Sequence, residues 1–292
     1  MNSRKITTLI IPAFICMGIV YFFMFTPWGV HIIGETLFGG DKEKPYLAED
    51  YPTEIHSTHP IALSIALPEE VKQPSGIDFD ETRGAFFLVT DQAEIMELTE
   101  NFQAVTSSVT ISSKPLIFRQ GSVESIDCFQ DKMYIGGDLG VVEIWEKADN
   151  TWKKSAVIQP QGNQGINLEA EALAIHPENG NIYLGKDSTI TIIDPKGNFV
   201  SEYALQGVPK RGRQLSDYII AGMDFYEGVL YVLTEYHSAI LQVNPSSGEI
   251  IAVEALEGIT EGAGLAVTAE SYFVVVDHEL NEASPGVKVY KR

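Results

Sequence analysis

Cysteine is nearly absent: the chain of 292 residues holds only Cys16 and Cys128. Two thiols build neither a disulfide framework nor a cysteine-rich zinc site. Basic residues are scarce as well, with 20 Lys and Arg against 40 Asp and Glu, a formal net charge of −20. A duplex-binding protein needs surplus cations to displace counterions from phosphates, which excludes nucleic acid as a partner. The short catalytic signatures are also missing. There is no G-x-S-x-G elbow, no H-E-x-x-H, no P-loop and no Rossmann glycine pattern. What is present is apolar substance, 45% of the chain. That is enough for a sizeable core and incompatible with a disordered tail protein.

One long apolar run stands at the start. Residues 6–25 carry no charged side chain across 20 positions, about the length that spans roughly 30 Å of hydrocarbon as a helix. Arg4 and Lys5 precede it, and the next Lys or Arg is Lys42. By the positive-inside rule residues 1–5 stay in the cytoplasm and everything after the span is exported. A cleaved signal peptide is the competing reading. The run exceeds the usual apolar core of about 7–15 residues, and Phe22 to Phe25 offers no small-residue cleavage site. Bulky Ile15 argues against lipoprotein processing at Cys16, and the basic flank argues against a buried core helix. Cys16 in the span and Cys128 beyond it cannot pair across a membrane boundary. Cys128, in the run Ile126-Asp127-Cys128-Phe129, reads as a small buried hydrophobe. Residues 26–54 mix Gly, Pro and charge as a juxtamembrane linker does.

The remainder, residues 55–292, repeats itself. Five segments open with a small residue and a short apolar strand, starting at Gly76, Ser125, Ala172, Gly222 and Gly264, with spacings of 49, 47, 50 and 42. After each start comes a turn and a second strand rich in aromatic and β-branched residues: 85–90, 132–137, 181–186, 229–234 and 271–276. Third strands are read at 94–99, 141–146, 189–194, 239–244 and 287–292, and fourth strands at 102–111, 151–159, 199–205 and 249–256. Four antiparallel strands every 40–50 residues is the pattern of β-propeller blades. The fold class is therefore all-β, a five-bladed β-propeller preceded by one transmembrane helix. The last repeat lacks an outer strand, which residues 61–67 supply to close the ring. A sixth, irregular blade in residues 26–60 and a β-sandwich are the alternatives.

The second strand of every repeat ends in an acid: Asp91, Asp138, Asp187, Glu235 and Asp277, at offsets of 15, 13, 15, 13 and 13 from the repeat start. Antiparallel pairing sets these ends on the face where the inner strands begin, beside Glu124 and Glu171. A ring of acids at one channel mouth focuses negative potential. It suits a hard cation such as Ca²⁺, with ~6–8 oxygen ligands, or a cationic organic group. His237 and His278 follow Glu235 and Asp277, so acid–imidazole pairs fall at the same mouth as ligand-binding candidates. Solvated acids at strand ends, where turns favour Asp, fit the same pattern. The basic patch at residues 210–213 lies in the link between the third and fourth repeats and reads as a solvated loop.

The segments Pro74-Ser75-Gly76-Ile77-Asp78-Phe79, Glu171-Ala172-Leu173-Ala174-Ile175-His176-Pro177 and Leu230-Tyr231-Val232-Leu233-Thr234-Glu235 resemble the SdiA-regulated, or YjiK-like, family. So does the closing Phe273-Val274-Val275-Val276-Asp277-His278. The resemblance covers the anchor and residues 60–292. It implies a bacterial inner-membrane protein with one N-terminal span and a propeller in the periplasm, and no established reaction. The chain departs from the family pattern at Ser125 and Ala172, where Gly is expected, at Ala221 and Ala263, and in using Asp at four strand ends. The functional expectation is a ligand- or protein-binding module with Ca²⁺ at the acidic mouth. The competing expectation is a metal-dependent lactone or ester hydrolase of the gluconolactonase or regucalcin kind, in which carboxylates hold the ion. A purely structural envelope scaffold is the third.

Overall fold

The computed structural model describes residues 55–111, 123–137, 141–149, 151–159, 170–207, 219–235, 239–259, 262–276 and 285–292. The apolar span at 6–25 and the linker at 26–54 lie outside the described residues. Among the described residues every named element is a strand.

Two strands come first in the chain, β1 (Ile55–His59) and β2 (Ile61–Ala66), and both belong to blades completed much later. The first blade is β3 (Pro74–Asp80), β4 (Ala85–Thr90), β5 (Glu94–Leu98) and β6 (Val105–Thr110). The second is β7 (Val123–Phe129), β8 (Lys132–Gly137), β9 (Val142–Ala148) and β10 (Thr151–Ile158). The third is β11 (Ala172–Ile175), β12 (Ile182–Lys186), β13 (Thr189–Ile193) and β14 (Phe199–Ala204). The fourth is β15 (Ile220–Tyr226), β16 (Val229–Thr234), β17 (Ala239–Val243) and β18 (Ile250–Leu256), and the fifth is β19 (Gly264–Val267), β20 (Ser271–Val276) and β21 (Gly286–Lys291). The inner strands touch in the cyclic order β3, β7, β11, β15, β19 and back to β3. Five blades therefore close the ring, and the direct contact of β19 with β3 leaves no gap for a sixth.

The strand missing from the fifth blade is β2, paired antiparallel with β21 from Ile61 opposite Tyr290 to Ala66 opposite Gly286. The repeat pattern foretells this closure. It does not foretell β1, which adds a fifth strand, parallel to β18, on the outer edge of the fourth blade. Phe102 is a second departure. The expected strand at 102–111 starts only at Val105, because Phe102 sits in a turn at φ 58°. Its ring turns inward and packs 4.3 Å from Phe86.

The core is five seams rather than one ball. Phe87, Ile126 and Trp152 fill the seam between blades one and two; Val142, Leu173 and Ile182 fill the next. Ile190, Leu230 and Val232 join blades three and four, Leu233, Tyr272 and Val274 join four and five, and Phe86, Val275 and Val287 close five onto one. Second strands are buried on both faces, as in the unbroken burial of β4, because each lies between two neighbouring blades.

Near the axis the inner strands approach so closely that a side chain does not fit. A Cβ on Gly222 would lie 2.7 Å from the Leu265 nitrogen, and one on Gly264 would lie 2.9 Å from the Gly76 Cα. The small residues that open the repeats thus exist for strand-to-strand contact. Backbone atoms cannot yield as a flexible side chain does, so Gly222→Val should lower unfolding free energy by about 2–3 kcal/mol. Urea unfolding of the full chain in detergent micelles, followed by tryptophan fluorescence, measures this; an unchanged midpoint would contradict the close contact.

Candidate functional site

Along each inner strand the period of two sets the residue two places after the small starter on the same side as the starter. That position holds Asp78, Asp127, Ala174, Asp224 and Ala266 in the five blades. The three carboxylates each reach to the next blade. Asp78 Oδ2 accepts the Cys128 N–H at 2.5 Å, Asp127 Oδ2 accepts the Ile175 N–H at 2.9 Å, and Asp224 Oδ2 accepts the Val267 N–H at 2.6 Å. In every case the donor is the residue just after the equivalent position of the following blade.

These carboxyls stand at the base of a funnel of about 500 Å³, where the inner strands end and turn into their hairpins. Asp78 and Asp127 are buried, at 7% and 6% exposure, and Asp224 is half-buried. Phe129, Phe225 and Tyr226 line the wall above them, and Glu81, Asp131 and Glu227 are exposed at its rim. A cation pairs with two of the acids that line the funnel. Arg83 pairs with Asp80 and with Asp131 and lies over the Trp152 ring, 5.1 Å from its centroid.

Burial governs the acid–base state of this base. It raises the Asp78 carboxyl to about 6, although the N–H groups of Cys128 and Phe79 pull it down; the Asp80 charge adds to the rise. Burial and the Asp78 charge push Asp127 well above the usual carboxylate range. Burial, then Asp78 and Asp127, do the same to Asp224. The Cys128 thiol lies half-buried in the funnel wall. Burial and the carboxyls of Asp78, Asp127 and Asp80 push its pKa well up, so it stays a thiol and is a poor nucleophile.

Of the acids singled out by the repeat, the described ones lie at the opposite mouth. Asp91 and Asp187 are exposed just after β4 and β12, while Glu235, Glu124 and Glu171 are half-buried on the same face. Asp187 sits at φ 50° in the turn from β12 to β13, and its carbonyl accepts the Ile220 N–H at 2.7 Å. At the level where the inner strands begin, Gly76, Ser125, Ala172, Gly222 and Gly264 leave only about 10 Å³ on the axis. Asp138, Asp277, His237, His278 and the basic patch at 210–213 lie outside the described residues. Among the described residues no group of three or more His, Cys, Asp or Glu is placed to hold a metal ion. Sequence reasoning passed over Asp78, Asp127 and Asp224 because they recur in three repeats, not five. The available signal was an acid inside an otherwise apolar inner strand, as in Gly76-Ile77-Asp78-Phe79 and Gly222-Met223-Asp224-Phe225.

No protein-family model matches the sequence, and no curated protein does. Solved β-propeller structures are similar in fold. A glutaminyl cyclase from Myxococcus xanthus superposes with a TM-score of 0.59 at 15% identity, over 81% of this chain and 97% of that one. Regucalcin, a calcium-binding protein from Agrobacterium tumefaciens, gives 0.46 at 11% identity over 81% and 97%. The β-propeller domain of Cps50 (Swd1) from Myceliophteria thermophila gives 0.44 at 12% over 76% and 70%. At these identities the likeness shows the propeller fold and nothing about ligands.

The raised carboxyls have a consequence for stability. The folded protein keeps these protons at pH values where an unfolded chain, with carboxyls near 4, has released them. It then binds more protons than the unfolded chain, so stability falls as pH rises through the window from about 4 to about 6 and above. Asp78→Asn keeps an oxygen for the Cys128 N–H and removes the charge. Its unfolding free energy should exceed that of the parent by about 1–3 kcal/mol at pH 7.5, and the gap should vanish near pH 4. Urea titrations at the two pH values decide it, and a less stable variant at pH 7.5 would refute the assignment.

Proposed function

We propose that the protein is a membrane-tethered, exported β-propeller of the SdiA-regulated kind whose funnel binds a small organic cation. The observation that carries the binding reading is the placing of Asp78, Asp127 and Asp224 at the base of a cavity of about 500 Å³. Two of the five blades build the equivalent position with Ala, so the fold does not need an acid there. Acids held where burial opposes their ionisation cost stability, and such costs concentrate where function requires them. The volume lies in the range of small-molecule sites, about 300–1,000 Å³. Aromatic walls at Phe129, Phe225 and Tyr226 favour an ammonium group by cation–π attraction.

Calcium fits this site poorly. It takes ~6–8 oxygen ligands, whereas each aspartate here gives one oxygen to a backbone N–H. The described residues likewise offer no metal cluster for a hydrolase.

A bound cation favours the ionised carboxyls and drives their protons off. Titration of the full chain in detergent with n-butylamine at pH 6 should show saturable binding with release of protons. Calorimetry in two buffers of different ionisation heat reads that release, and Asp127→Asn should weaken binding at least ~10-fold, the scale of one lost charge-assisted contact. No saturable binding, or binding indifferent to Asp127→Asn, overturns the proposal; saturation by CaCl₂ with no response to amine would transfer the site to the metal.

Tethering rests on the apolar run at 6–25 with Arg4 and Lys5 before it. The full chain should remain in the membrane pellet after alkaline carbonate extraction, and removal of residues 1–25 should release it. In intact spheroplasts external protease should digest residues beyond 54. Protection of the propeller from that protease would reverse the orientation.

A further inference from the structure

A second cavity adjoins the funnel. It is a cleft of about 440 Å³ between blades five and one, and Phe79 and Glu81 line both spaces. Its floor is aromatic: Phe86 packs 4.7 Å from Phe79 and 4.6 Å from Phe273 by ring centroids. Phe79 and Phe273 are only half-buried, so their rings present apolar surface to the cleft. Its sides carry Glu81, Glu100 and Glu270, all exposed, and the one cation among its described lining residues, Lys291, lies 3.7 Å from Glu270. The cleft is thus apolar below and acidic around.

Strand alternation explains how one segment serves two spaces. Asp78 faces the axis, and Phe79, the next residue of β3, turns to the seam with blade five. A molecule whose charged end reaches the carboxyls can lay its remainder across Phe79 onto Phe86 and Phe273.

We infer that funnel and cleft form one continuous site, and that its ligand is an amphiphilic amine: an ammonium head at Asp78, Asp127 and Asp224 and an apolar or aromatic tail in the cleft. The inference rests on the cation-binding reading of the funnel and adds the substrate class. Charge complementarity selects the cationic head, since the described lining of both spaces is dominated by acids. The phenylalanine floor selects the tail, because burying an aryl group against such rings is favourable where extra charge is not. A purely anionic molecule meets like charge in both spaces.

The test compares n-butylamine with 4-phenylbutylamine by calorimetry on the full chain in detergent. In the parent protein 4-phenylbutylamine should bind at least ~10-fold more tightly, the advantage expected from burying the ring. Ala269→Trp fills the exposed cleft position at Ala269, and Phe273→Leu removes a floor ring while keeping most of its volume. Each should bring the ratio of the two affinities toward one, and both variants also report any partition of the probe into micelles. A ratio near one in the parent, or a ratio untouched by both variants, overturns the continuous site while n-butylamine binding leaves the funnel reading intact. Failure of n-butylamine to bind overturns both.

Discussion

The burial of inner-strand aspartates that each accept a hydrogen bond from the first strand of the next blade is the constraint on which the candidate site turns. Bonds from a charged acceptor to a backbone N–H contribute about 1.5–3 kcal/mol each. Asp78, Asp127 and Asp224 make them across three of the five seams. The same burial that strengthens such a bond opposes the ionised form that makes it strongest. The base of the funnel is therefore held between two demands, geometric locking and relief of like charge. The atoms that bridge the blades are also the ones that line the base of the cavity.

Around that base the rest is packing. Each seam buries residues from two neighbouring blades, so no blade owns a complete core. Small residues at the opening of the inner strands allow the ring to contract until backbones touch, which shuts one end of the axis. Where Asp and aromatic residues follow instead, the strands diverge and the funnel opens. A taper in residue size along five short strands thus sets which end of the propeller has room for a ligand.

Much of this was legible in sequence. The bounds of β4, β8, β16 and β20 coincide with those read from apolar and β-branched runs between turn residues, because strands buried on both faces have little freedom in composition. The closing role of β2 followed from a strand deficit at one end and a spare at the other. β1 was not legible: it pairs parallel to β18 from far away in the chain, and such pairing leaves no local period. Phe102 misled as a β-former because its value is as a plug, delivered by a turn. The site was harder still. Recurrence drew the eye to the strand-end acids Asp91 and Asp187, which turn chemistry also favours. What distinguishes Asp78, Asp127 and Asp224 is burial, a property of the assembled ring.

The seating of β1 on the fourth blade and β2 on the fifth has a consequence in time. His59 Nδ1 meets the carbonyl oxygen of Lys291, 232 residues away, at 2.6 Å, so the strands that precede the first blade find their partners in the fourth and fifth. Contacts this remote are slow to form. The circle is sealed only when β2 meets β21, and without that clasp β21 presents a bare edge of the kind that invites aggregation. The ring is thus locked by the joining of strands that lie far apart in the sequence.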